Sequence, residues 1–234
     1  MKINQPLFYI GCLLIVLLSG CDTNPGKTKQ EKIAFLMEAA FQDQEFIGNV
    51  LVADSGRIIY KKSFGQADAA LKIPNNDTTK FLIASLSKPI TAIIILRLVE
   101  RGQLKLEDPL KTFFKSANSE IGNITIHQLL THSSGISEFI SKEKMADINS
   151  SLKKATLTFK PGSDFEYSNS GYVLLIKIAE SITGKGYEEI VNTEVFQPSN
   201  MVSSGVARND QSWKFAKGYT DATQKQTETI DYPF

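Results

Sequence analysis

The chain has 234 residues, enough for one large domain or one and a half, and a hydrophobic content of 42% is ample for a buried core. Lysine and arginine number 26 against 25 aspartates and glutamates, a balance that leaves no charge excess to grip a nucleic acid or an acidic surface. Partners must be argued from individual sites.

Residues 1 to 20 read as a segment of their own. Lys2 precedes an uncharged run, "LFYIGCLLIVLL" from Leu7 to Leu18. It suits the apolar stretch of a secretory signal and falls short of the ~20 residues a membrane-spanning helix needs. Leu18-Ser19-Gly20-Cys21 resembles the bacterial lipobox, in which small residues admit the signal peptidase and the cysteine thiol receives the lipid. A plain cleaved signal followed by a chance cysteine is the alternative. The only other cysteine, Cys12, lies in the part that would be removed, so the mature domain has no pair to oxidise. "DTNPGKTKQ" after Cys21 has the polar, Pro-Gly composition of a flexible tether. The expected organisation is a signal peptide over 1–20, a tether over 21–30 and one folded domain over 31–234. A lipid anchor at Cys21 would hold that domain on the extracytoplasmic face of a bacterial envelope membrane.

From Glu31, the positions Ile33, Leu36, Met37, Ala40 and Phe41 follow the spacing of an amphipathic helix ending near Asp43. "FIGNVLVA" (46–53) and "RIIYKKSF" (57–64) read as two strands joined by the turn "DSG". A polar loop follows through Lys80. Pro89 to Arg101 carries "ITAIIILRLV", apolar on nearly every face, which predicts a helix in the middle of the protein, closed by Gly102. Thr125 is placed to cap a short helix through His132. A weaker amphipathic stretch spans about Ser141 to Lys153, "GYVLLIKIAESITG" (171–184) is a helix stopped by glycine, and "YEEIVNTEVF" is a further short one. Only helices and loops are expected after the first hairpin, which by itself is too little sheet to be stable in water.

"FLIASLSKPITA" (81–92) carries the chemistry. On a helix, residues three apart share a face, so the Ser85 hydroxyl would stand beside the Lys88 amine, as a serine nucleophile requires of a base. Lysine ordinarily titrates near 10.4, so burial and the positive helix end must favour the neutral amine, and the flanking "FLIA" and "ITAIII" are expected to bury it. Pro89 costs little in a first turn. The bare pattern Ser-x-x-Lys recurs at Ser141/Lys144, Ser150/Lys153 and Ser151/Lys154, in polar, lysine-rich surroundings where the amine stays solvated. In "FKPGSDFEYSNSGY", Tyr167 and Asn169 stand two apart, and in an extended segment such residues point the same way. A phenol and a carboxamide would then share one cavity, to relay protons and to hold a substrate. A turn with a capping asparagine is the plainer alternative.

"SLSKPITA", "IHQLLTHSSGI", "PGSDFEYSNSGY" and "ITGKGYEEIV…VFQPSNM", in this order and spacing, resemble the serine β-lactamase and penicillin-binding protein superfamily, nearest to its class C β-lactamase-related branch. The resemblance covers nearly all of the chain after the signal. It implies an α+β fold of the β-lactamase/transpeptidase type, a helical domain with an antiparallel sheet, of which this chain holds only the N-terminal hairpin. It implies Ser85 as the acylated nucleophile, Lys88 as the group that eases its deprotonation, Tyr167 as the proton shuttle to the leaving group and Asn169 as the holder of the substrate amide. Lys88 and Tyr167 both remain open as the general base. His132 matches a segment structural in that family and is read as a packed loop histidine and not a triad member, and His127, Asp108 and Asp164 receive the same plain reading. The implied substrate is a peptidoglycan peptide, a β-lactam or a small ester, with no metal and no cofactor: two histidines and no thiol pair make no ligand set.

The resemblance stops short at one place. No basic-x-Gly triplet, the family's third motif, follows Asn169. The strand bearing it supplies one of two oxyanion donors in that family, and losing such a donor costs about 10²–10³ in rate. The expectation is therefore a truncated family member. A catalytically inactive envelope lipoprotein keeping the motifs is the alternative to an active serine hydrolase.

Overall fold

The computed structural model describes residues 26–139, 147–207, 215–219 and 227–228. The predicted signal segment, Cys21 and the first half of the tether lie outside the described residues. Two compact units are present, one ending at Gly65 and one beginning at Gln66.

In the first unit, Thr28 caps helix α1 (Lys29–Gln42) through a capping box with Glu31, so the helix opens just inside the predicted tether. Its phenylalanine Phe41, with Phe46 just beyond the helix, packs on Phe64 at ring-centroid distances of 5.4 and 6.0 Å. That ring closes strand β2 (Arg57–Phe64), antiparallel to β1 (Gly48–Asp54) with Gly48 opposite Phe64. Ser55 and Gly56 both have positive φ, 51° and 75°, the turn geometry whose twist matches a two-residue hairpin. Helix and hairpin thus stand where the periodicity predicts them.

The second unit holds more strand than expected. β3 (Gln66–Asp68) pairs with β4 (Ile73–Pro74), and β5 (Gly218–Tyr219) pairs with β6 (Thr227–Glu228). Helices and loops alone were predicted after the first hairpin, and these ladders correct that expectation. They are too short to carry an alternating pattern. Specific contacts hold the region instead: Lys217 Nζ meets Asp68 Oδ2 at 2.9 Å, the Lys217 N–H donates to Ala67 O at 2.8 Å, and the Ala69 N–H donates to the Tyr219 hydroxyl at 2.7 Å.

Helix α2 (Ser87–Glu100) buries Thr91, Ile94, Ile95 and Leu98, whereas Ile93 and Leu96 are 45% and 50% exposed. The prediction of burial on nearly every face is therefore too strong. Isoleucine and leucine on the solvent side hide the helix's amphipathicity from a hydrophobicity reading. Thr125 caps α3 (Ile126–Leu130) through a box with Gln128, and the helix stops short of His132 because that residue is left-handed, with φ 56°. Gly135 has φ 67°, and a Cβ there would lie 2.3 Å from Phe159 O, so glycine alone fits. The segment after it runs beside 156–158, with the Ser137 N–H bonded to Thr156 O and the Thr158 N–H to Gly135 O. α4 (Ile148–Lys154) is capped by Asp147, while the predicted start near Ser141 falls outside the described residues.

α5 (Asn169–Thr183) is the second core helix. Ser168 caps it, Gly184 ends it with φ 69°, and Leu174, Leu175 and Ile178 are wholly buried. α6 (Tyr187–Val191) runs into a π-helical turn, Asn192–Phe196, where Glu194 takes a bidentate grip from Arg101 at 2.8 and 2.7 Å. α2 packs on α5 with their N-terminal ends side by side. That juxtaposition brings the two sequence motifs together.

Candidate active site

Ser85 lies on a 3-10 turn, Ala84–Leu86, that feeds directly into α2. Ala84 before it is held at φ 46°, a backbone region that costs a residue with a Cβ about 1–2 kcal/mol, and its carbonyl accepts from the Ser87 hydroxyl. Lys88, in the first turn of α2, reaches Ser85 Oγ at 3.4 Å and Asn169 Oδ1 at 2.7 Å. Its amine also sits over the Tyr167 ring at 4.6 Å from the centroid and over Tyr172 at 5.6 Å. Lys88 and Ser85 both stand close enough to the Tyr167 hydroxyl to act on it.

All four predicted residues therefore meet. Tyr167 lines the cleft, whereas Asn169 opens α5 as an exposed residue that reaches Lys88 without lining it, and Ser168 between them is extended, with φ −125° and ψ 120°. The predicted burial of Lys88 by its own flanks does not occur. Phe81, Leu82 and Ile83 are 40–46% exposed, and the amine is enclosed instead by aromatic rings from a distant part of the chain. Burial is the largest influence on the Tyr167 phenol and pushes it up, but the hydrogen bonds from Lys88 and Ser85, with the Lys88 charge, together hold it below the usual tyrosine range. Burial raises Tyr172, whose hydroxyl donates to Leu130 O at 3.0 Å. An open, largely apolar cleft of about 540 Å³ lies over the site, lined by Ile83, Leu86, Pro89, His132, Tyr167 and Tyr172.

His132 is a packed loop histidine, as read, and what it packs is Tyr167. Its ring stacks on that tyrosine at 4.6 Å, lies 5.0 Å from Tyr172 and meets Phe165 edge-on at 5.9 Å. Its Nδ1 accepts the Ser168 N–H at 3.0 Å, so the neutral ring carries its proton on Nε2. Burial first, then the Lys88 charge, lowers its affinity for a proton, with Glu138 opposing. Protonation would place a second donor against the Ser168 N–H and cancel that bond. The unfolded chain takes up this proton first, so stability is fully present above about pH 6.5 and declines as pH falls below that value. Thermal unfolding should show this decline in the wild type and a shallower one in His132→Asn, which keeps a neutral side chain suited to left-handed backbone. Parallel curves would refute the assignment.

Sequence reasoning missed Glu138, Ser170 and Tyr172 as neighbours of the site. No local signal marks them, because each arrives through the packing of 132–139 against the start of α5. Asp108 and Asp164 accept main-chain N–H groups, of Lys105 and Phe165. Among the described residues, no three His, Cys, Asp or Glu side chains form a metal-ligating group.

The sequence model of the family described as Beta-lactamase matches residues 36–232. The chain belongs to the β-lactamase family. Penicillin-binding protein 4* of Bacillus subtilis is 34% identical to it over 220 residues, 87% of this chain and 48% of that protein. A crystal structure of a penicillin-binding protein from Bacillus halodurans superposes with a TM-score of 0.69 at 32% identity, over 78% of this chain and 61% of that one. A class C β-lactamase shares the fold at 22% identity, with a TM-score of 0.75 over 88% of this chain and 59% of that one. This β-lactamase-family chain thus spans about half the length of the curated relatives it matches. The fold is the α+β β-lactamase/transpeptidase type that the motifs imply.

Proposed function

We propose that this chain is a serine hydrolase that works through an acyl-enzyme on Ser85, with a cell-wall peptide, a β-lactam or a small ester as substrate. One observation carries the reading: Lys88 touches both Ser85 Oγ and Asn169 Oδ1 while its amine lies 4.6 Å over the Tyr167 ring. The Ser85 proton passes to one of the two groups beside it, the Lys88 amine, whose other contact is Asn169, or the Tyr167 phenol oxygen, which the Lys88 charge holds toward its ionised form. Ser85 Oγ then attacks the substrate carbonyl, and Tyr167 passes a proton to the departing amine or alcohol. Water releases the acyl group by the reverse relay and restores the hydroxyl. Asn169, exposed beside Lys88, holds the substrate amide.

A fluorescent penicillin or a fluorophosphonate should label the folded protein, with the adduct mass on the peptide containing Ser85. Folded protein that takes up neither probe would leave the second reading, an envelope lipoprotein that keeps the motifs without turnover. The "LSGC" pattern supports lipidation of Cys21. Cells fed an alkyne-tagged palmitate should transfer it to the wild type and not to Cys21→Ala, and equal tagging of the two would refute the anchor.

A further inference from the structure

We propose that Glu138 is a positioning residue of this site, a carboxylate that grips the opening turn of α5 and so sets where Tyr167 and Asn169 stand against Lys88. The proposal rests on the acyl-enzyme reading and adds to it a side chain from outside the motifs. The two Glu138 oxygens lie 3.2 and 3.3 Å from the Ser170 nitrogen, and Oε2 also accepts from the Ser170 hydroxyl at 3.2 Å. That hydroxyl in turn accepts the Phe139 N–H at 2.9 Å, and Ser170 is wholly buried. The first turn of a helix leaves its N–H groups without internal partners. Ser168 takes the Gly171 N–H at 3.0 Å and Glu138 takes the Ser170 N–H, so Asn169 is pinned from both sides.

A cap alone does not account for this carboxylate. Ser168 already occupies the capping position, and Glu138 comes from 32 residues upstream. Its charge also faces the site. At Tyr167 and at His132 it opposes the influence of Lys88, raising both groups where the lysine lowers them. The groups around Tyr167 are Lys88 and Ser85 from the start of α2, His132 and Glu138 from the 132–139 segment, and Tyr172 from α5. Displacing the α5 turn by about 1 Å would pull Asn169 off Lys88, a misplacement that costs on the order of 10²-fold in rate.

Two variants of the full chain test this, Glu138→Gln and Glu138→Ala. They are read by the pH profile of covalent labelling at Ser85 and by the NMR titration of the Tyr167 ring carbon, assigned with Tyr167→Phe. Glu138→Gln keeps an acceptor for Ser170, so peak labelling should stay within about threefold of wild type while the Tyr167 midpoint moves to lower pH. Glu138→Ala loses the grip, and labelling should fall about 10- to 100-fold with faster amide exchange at Ser170. Wild-type rates in both variants with an unmoved Tyr167 midpoint would overturn the proposal. Should the alanine variant fail to fold, the glutamine variant decides by its midpoint alone: lowered supports, unmoved refutes. A wild type that takes no label would end the acyl-enzyme reading, and the Tyr167 titration would still judge Glu138.

Discussion

Ser85→Ala removes covalent labelling completely and leaves the unfolding temperature where it was. The two halves of this expectation have separate causes. Ser85 is exposed on its 3-10 turn, and Lys88 reaches its hydroxyl only at the long distance of 3.4 Å. Exposed substitutions of this kind usually change stability by no more than about 0.5 kcal/mol. On the proposed acyl-enzyme mechanism, chemistry has no substitute for the missing oxygen, since Ser85 Oγ is the atom that would be acylated. Mass mapping of probe-treated protein, with a thermal melt of the same sample, checks both halves. An adduct on the alanine variant would move the nucleophile elsewhere in the cleft.

The second large effect belongs to Lys88→Ala, which should slow labelling of Ser85 by about 10³-fold, within the range for a lost general base. More than a candidate base disappears with it. Asn169 loses its 2.7 Å partner, and the Tyr167 phenol loses both the hydrogen bond and the positive charge that hold it down. The residual reaction should therefore shift to higher pH, because the phenol regains its ordinary reluctance to ionise. Labelling rates across pH for Lys88→Ala and Tyr167→Phe rank the two possible bases. A deeper loss in the tyrosine variant, with Lys88→Ala close to wild type, would transfer the role to Tyr167.

The sequence was informative where chemistry is local. Three-residue spacing placed Ser85 and Lys88 on one face, and the capping patterns at Thr125 and the glycine at 184 fixed helix ends. It misled where enclosure is supplied from afar. Apolar neighbours of Lys88 in the chain turn out to face solvent, while the rings that surround its amine are Tyr167 and Tyr172, about eighty positions later, where no periodicity announces them. The clamp formed by His132 and Glu138 escaped for the same reason: its partners are Ser168 and Ser170, and only the packed fold makes them adjacent. Short ladders such as β3 with β4 were illegible because two or three residues cannot display an alternating pattern.

The link from Lys88 to Asn169 spans 81 positions. Neither motif is competent by itself, however well its own turn forms, since the amine finds its second partner only after α5 has docked against α2. Loop closure over that length is entropically slow to achieve, so reactivity toward an acylating probe should emerge late during refolding, after secondary structure has appeared. The serine thereby doubles as a built-in indicator of completed tertiary assembly, silent in any intermediate that holds helices without their final contacts.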